Sequence, residues 1–361
     1  MNTDATTAPG RRQRLSHKAA DVVKLYDPRT WKEKGLWWTS GLLLVTATVI
    51  VLILGFYWSQ SPDPFDVRER AIQEMTGGGQ SELVTGSYTT AAAIGIADTL
   101  LRKPGGYLSN DIMPPGLYLD NIPNWEYGAL TELRDLTDAL RNRMSRSQSQ
   151  SLEDPDLQTA EPAFNYDSDS WVLPSTESEY KRGIEALENY FIRLADEKDE
   201  DGQFFARADN LAAYLEVAGM RLGSLANRLS HAAGKESFNM GLAGETAAEQ
   251  STPVPETQWK KTPWLQIDDV LFEARGYAWA LLNTLEAMEI DFKSVLEDKN
   301  AVRSVKQIIR ELKETQRPIW SPIIMNGIGF GPMANHSLVM ASYLSRANAG
   351  VIDLRKLLEQ G

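Results

Sequence analysis

The sequence predicts an all-α protein: a single transmembrane helix near the N-terminus, then a helical bundle on the far side of the membrane. Three observations predict it. One uncharged apolar run is long enough to cross a bilayer, and apolar residues recur at helical spacing through most of the rest. Strand signals are scarce, with no alternating β-branched run longer than about four residues outside the apolar run.

The composition fits a folded chain. With 361 residues, 42% apolar and 24% charged, it is neither disordered nor fibrous and is long enough for one large or two small domains. The absence of cysteine excludes thiol catalysis, thiolate-held iron–sulfur clusters and disulfide staples. A net charge of −12 argues against a nucleic-acid partner.

The apolar run extends from Leu36 to Trp58, 23 residues without a charge. As a helix it measures about 34 Å, enough to cross a hydrocarbon layer of about 30 Å. Trp37 and Trp38 at one end and Phe56, Tyr57 and Trp58 at the other stand where aromatic rings favour the two interfaces. Residues 1–35 carry eight basic and four acidic residues, whereas 59–80 carry only Arg68 and Arg70 as basic residues. The positive-inside rule therefore makes 1–35 a cytoplasmic basic tail, 36–58 the span and 59–361 an exported domain. The following sequence WSQSPDPFD lacks a small-residue cleavage site, so the run reads as an uncleaved anchor. Divided this way, residues 1–58 carry +4 and residues 59–361 carry −16. Before the run, Leu15, Ala19, Val22, Val23 and Tyr26 repeat at helical spacing. Two readings stay open for them: a short helix on the inner leaflet, or a basic tail that only fixes orientation.

The exported part is punctuated as helices. An Ala-rich stretch from Tyr88 to Leu101 ends at Arg102, Lys103, Pro104 and two glycines. Trp125, Ala129, Leu133, Leu136, Leu140 and Met144 form one helical face. The polar stretch 145–170 reads as a loop, after which Ser175 or Thr176 with Glu179 resembles a capping box. A helix lined by Tyr180, Ile184, Leu187 and Phe191 ends in a charged turn at 196–202. Asp209 is placed to cap the next helix, which carries Leu211, Leu215, Leu222, Leu225 and Leu229. Residues 233–256 are small and aperiodic and read as a mobile loop. Helices resume over 267–292 and 302–312, Asp268 and Asp269 placing negative charge at a helix start. The last, 338–358, is apolar on most faces and is predicted to be the central, most buried helix.

Signatures of common enzymes are missing from the sequence: HExxH, GxSxG and a Walker loop do not occur. Only His17, His231 and His336 are available, too few and too scattered to predict a catalytic triad or a zinc site, and no metal or cofactor is expected. Two segments remain as candidate binding regions. In IIMNGIGFGPMANH (323–336), Gly327, Gly329 and Gly331 allow tight turning or close approach, Asn335 can cap the final helix, and His336 stands beside it. Tight packing is the commoner use of such glycines; a ligand or partner site is the sharper one. In GGYLSNDIMPPGLYLDNIPNW (105–125), Asn110, Asp111, Asp120 and Asn121 suit turns. Alternatively, Asp111 or Asp120 pairs with Glu126 as acid and base on a glycan. The candidate binding residues are thus Asp111, Trp125, Glu126, Asn335 and His336.

The strings YLSNDIMPPG, DNIPNWEYGAL, RNRMSRSQSQSLEDPDLQTAEPAFNY and GFGPMANHSLVMASYLSRANAGVIDL resemble an uncharacterised bacterial membrane-protein family, domain of unknown function 2333, over nearly the whole chain. The resemblance implies a Gram-negative inner-membrane protein with a cytoplasmic N-terminus and a periplasmic helical bundle. It assigns no catalytic residues, and it implies that 145–170 is ordered. In an oxidising periplasm the missing cysteines leave the domain to core packing alone. Function is expected to be that of an envelope adaptor or scaffold, with the lipid bilayer and another envelope protein as partners. The alternative is a periplasmic enzyme acting on a glycan or lipid headgroup. A sensor ranks last, because 35 tail residues are too few for an output domain.

Overall fold

The helical periodicities become twelve α-helices in a computed structural model that describes residues 24–79, 82–147, 152–196, 202–238, 257–321, 323–328 and 331–360. Most of the Leu15–Tyr26 face, the charged run 197–201 and residues 239–256 lie outside the described residues. The chain divides into two units, 1–57 and 58–361.

In the first unit, Asp27 caps α1 (Pro28–Lys34) by accepting from the Arg29 N–H at 2.8 Å, and Gly35, at φ 83°, ends it. The uncharged run is α2 (Leu36–Trp58), with mean hydropathy 2.3 in its most apolar window. Among the described residues it is the one helix long and apolar enough to cross a membrane. Thr39, Thr46 and Thr48 each return a hydroxyl to the carbonyl four residues earlier, so these polar groups need no water.

The second unit is built from α3 (Val67–Gly77), α4 (Ser87–Arg102), α5 (Asn121–Ala139), α6 (Pro155–Phe164), α7 (Thr176–Leu194) and α8 (Ala208–Ser230), then α9 (Ile267–Asp291), α10 (Lys293–Asp298), α11 (Val302–Thr315) and α12 (His336–Glu359). Between α8 and α9 lies one antiparallel hairpin, β1 (Lys235–Phe238) with β2 (Thr257–Lys260). It places a strand at the start of the segment expected to be a loop. The 145–170 loop is also corrected. It contains α6, begun by Asp154, whose carboxylate accepts from the Asp156 and Leu157 amides and also binds Arg193 of α7 at 2.7 Å. Of the two residues offered as the α7 cap one is selected, and the cap of α8 shifts. Ser175, not Thr176, caps α7, which puts Glu179 one position too late for a reciprocal bond; it pairs with Arg182 instead. Asp209 lies inside the first turn of α8 rather than at its cap.

The central helix is α9, not the C-terminal one. It packs on α4, α5, α8, α11 and α12, and buries residues on every face, polar ones included. Helix α12 has a simple amphipathic division, with Leu344, Ala347, Val351 and Leu354 inside and Arg346 exposed enough to reach Glu311 at 2.7 Å. Apolar content misranked the two because α9 buries Arg275, Asn283, Thr284 and Asp291.

Two of those polar groups finish neighbouring helices. Gly86, at φ 97°, gives α4 no side-chain cap. Asp291 supplies it, accepting from the Gly86 N–H at 2.9 Å and from the Thr89 N–H and hydroxyl, each at 2.7 Å. Burial still pushes the Asp291 carboxyl up to about 6. At the other polarity, the Arg275 guanidinium donates to the Gln316 and Arg317 carbonyls at 2.8 and 2.9 Å, closing the C-terminal end of α11.

The α5–α9 crossing is made at backbone distance. A Cβ on Gly276 would overlap the Trp125 carbonyl oxygen, and one on Gly128 would overlap that of Glu273. Glycine here permits approach rather than an unusual φ. Beside the crossing Trp125 packs on Trp279 with ring centroids 4.9 Å apart, and Phe65 meets Trp279 edge-on at 5.8 Å.

Candidate functional site

The residues singled out in the sequence fall into two regions rather than one. In the first, α4 ends at Arg102 and the chain turns over Lys103–Leu108 before α5 starts. Glu126, in the second turn of α5, is fully buried. Its carboxylate receives the Leu108 and Ser109 amides at 2.8 Å each and the Ser109 hydroxyl at 2.5 Å, and forms an ion pair with the buried Lys103. Lys103 also donates to the Gly106 carbonyl. Burial raises the Glu126 carboxyl, while Lys103 and the three donors favour its ionised form. The arrangement fastens the loop to α5. Asp111 is not joined to Glu126: it sits against Gly116, where any Cβ would clash with its carboxylate, and burial beside Glu177 raises its pKa. Asp120 caps α5 through the Asn121 amide at 2.9 Å. Trp125 is wholly inside the core.

The second region is a small hairpin before α12. Asn326 and Asn335 face each other, Gly327 donates to the Ala334 carbonyl at 2.9 Å and His336 to that of Met325 at 3.1 Å. A side chain on Gly327 would collide with the Met333 carbonyl, so this glycine serves close packing of the two arms. Asn335 caps α12 by accepting from Leu338 at 2.8 Å, and its amide donates to Asn326 Oδ1 and to the Gly327 carbonyl. His336 accepts the Met325 N–H on Nδ1 at 3.1 Å, which places the proton of the neutral ring on Nε2. Burial lowers its pKa and favours that neutral form.

His336 lines a groove of about 310 Å³ together with Leu271, Arg275, Trp320, Met340 and Tyr343. A second depression of about 220 Å³ shares Ile319 with it and is walled by Trp264, Leu265, Phe272, Ile323 and Asp268. Around them Trp320 is 93% exposed and Trp264 70%. Neither depression contains Asp111, Trp125 or Glu126.

Sequence reasoning missed Arg275, Trp264 and Trp320. Arg275 carried a signal, since it interrupts an otherwise apolar helical run; the tryptophans stand next to or within two residues of Pro263 and Pro318, in short segments without periodicity. A third group was also missed. Glu132 on α5 is fully buried, accepts from the Tyr214 hydroxyl of α8 at 2.5 Å, and has no partner for Oε2. Burial pushes its carboxyl up to about 7. No group of three or more metal-ligating side chains occurs among the described residues.

The model of a family described as "Uncharacterized protein conserved in bacteria (DUF2333)" matches residues 31–361. No curated protein matches the chain, and no solved structure does.

Proposed function

We propose, starting from the fact that the chain belongs to the DUF2333 family of bacterial proteins, that it is an envelope adaptor: α2 anchors it in the inner membrane, and its helical domain holds a segment of another envelope protein. The N-terminus is cytoplasmic and the domain periplasmic, as the excess of basic residues in 1–35 over those in 59–80 favours. The observation that carries the binding role is the pair of adjoining depressions flanked by exposed Trp320 and Trp264. Monomeric domains seldom leave such aromatic side chains clustered and uncovered, and tryptophan anchors concentrate binding free energy at interfaces. Arg275 and His336 hold the walls of the groove in place, each through backbone bonds. The acid–base alternative on a glycan gains nothing from Glu126, whose oxygens are engaged by Lys103, Leu108 and Ser109.

A photo-crosslinking residue at position 320 in the full chain, expressed in its membrane, tests the proposal. One discrete adduct with the same envelope protein is expected in repeated experiments. It should be absent from position 220 and lost on Trp264→Asp. Adducts equal at both positions, or none at 320, sink the adaptor reading. A C-terminal reporter active only outside the cytoplasm tests topology separately.

A further inference from the structure

A second exposed apolar surface lies on the loops that follow α4 and α6, remote in sequence from the groove. The loop from 111 to 118 presents Met113, Leu117 and Tyr118, and the loop from 170 to 174 presents Trp171, Val172 and Leu173; Leu173 is 94% exposed. The two loops are bound together at their bases. Asn110 donates from its amide to the Ser170 carbonyl at 3.0 Å and to Glu177 at 2.9 Å, and the Tyr107 hydroxyl donates to the Ser168 carbonyl at 2.8 Å. The apolar tips are therefore held on an ordered base, unlike apolar residues scattered singly on a surface.

What lies beside this base identifies the occupant. Trp58 is the last residue of α2 and packs into the domain: a Cβ on Gly105 would touch both the Trp58 indole and the Leu108 side chain. The Asp111 backbone N–H donates to the Leu108 carbonyl at 3.1 Å, so the first loop leaves the fold one turn from the place where Trp58 rests. A helix of 23 residues spans about 34 Å, which sets Trp58 at the level of the bilayer interface. We infer that the tips of both loops, Met113 to Tyr118 and Trp171 to Leu173, insert into the interfacial layer of the same bilayer that α2 crosses. The inference rests on the reading of α2 as a membrane span.

Insertion removes these side chains from water, and Tyr118 and Trp171 match the interface, where an apolar ring body and a polar edge are both accommodated. The flanking charges are carboxylates, Asp111, Asp167 and Asp169. Attraction to anionic lipid is therefore not the driving force, and insertion persists in zwitterionic lipid at high salt.

The protein has no cysteine, so single reporters can be placed in the full chain. Leu173→Cys and Met113→Cys, each labelled with an environment-sensitive fluorophore, are reconstituted in phosphatidylcholine vesicles with nitroxide-bearing lipid. Val49→Cys in α2 and Met220→Cys on α8 are the references. The inference expects quenching by the nitroxide lipid and blue-shifted emission at 173, 113 and 49, and neither at 220. Quenching at 49 with water-exposed signals at 173 and 113 overturns the inference and leaves the anchor standing; it returns the tips to the surface available to a protein partner. No quenching at 49 removes the membrane span and the inference with it. Equal quenching at 220 means general adsorption and also overturns it.

Discussion

Glu132→Gln is expected to stabilise the protein at neutral and alkaline pH. The carboxylate lies in the core between α5 and α8, bonded to Tyr214 at 2.5 Å, with Oε2 unpartnered. Burial raises its pKa from 4.5 to about 7, Asp135 adding to the rise while the Tyr214 hydroxyl opposes it. The folded pKa is thus above the unfolded one, so the fold prefers the protonated acid. Its contribution is fully present below pH 4.5 and is lost as pH rises through about 7. The rise from 4.5 to about 7, at about 1.4 kcal/mol per pH unit, gives a penalty of about 3.5 kcal/mol above pH 8. Glutamine keeps the acceptor for Tyr214 and has no charge to bury. Thermal unfolding of both proteins in the same micelles across pH 4–8.5 reads this out. At roughly 2 °C per kcal/mol for a domain of this size, the variant should melt about 7 °C higher above pH 8 and equal the wild type near pH 4. Asp291 titrates in an overlapping range, with a pKa of about 6, but it is common to both proteins and cancels in the difference. A variant that is destabilised equally at both ends of the range would refute the reasoning.

Gly276→Ala forces a methyl group onto the Trp125 carbonyl and should cost about 3 kcal/mol or more, seen as a lower denaturation midpoint. An unchanged midpoint would mean that α5 and α9 do not meet at backbone distance. Glu126→Ala strands the Lys103 charge, 1% exposed, and should cost about 3–5 kcal/mol; the double substitution Glu126→Gln with Lys103→Met should recover much of that in the same assay. For His336, the folded pKa lies below 6.5, so the contribution of the neutral ring is lost as pH falls from 6.5 through the folded value. Protonation removes the Nδ1 lone pair that accepts the Met325 N–H. The Met325 amide proton resonance should therefore move upfield with a midpoint below 6.5, and a midpoint above it contradicts the geometry.

Much of the fold was legible because most of its helices bury one apolar stripe each. Tyr180, Ile184, Leu187 and Phe191 on α7 and Leu211, Leu215, Leu222, Leu225 and Leu229 on α8 announce their elements by spacing, and all are buried. Asn335 was legible as a cap because its side-chain chemistry acts over three residues. What escaped depends on distant partners. Asp291 caps α4 across 205 residues, Arg275 closes α11 across about forty, and Lys103 meets Glu126 only after the loop has folded. Helix α6 was hidden for a different reason: its apolar content is modest, and its start depends on Asp154, which Arg193 holds from α7.

The candidate residues do not form one pocket, yet they are not independent. Trp125 and Glu126 are consecutive on α5, as are Arg275 and Gly276 on α9, and the two pairs meet where Gly276 touches the Trp125 carbonyl. On one side of this contact Glu126 holds the loop that leads to Met113 and Tyr118. On the other, Arg275 holds the carbonyls at the end of α11, beside the groove of Trp320 and His336. Trp125 therefore serves as the body of a crossing rather than as a ligand. A backbone contact without side-chain slack is a poor place to absorb displacement. The groove is consequently held in a fixed position relative to the loops beside Trp58.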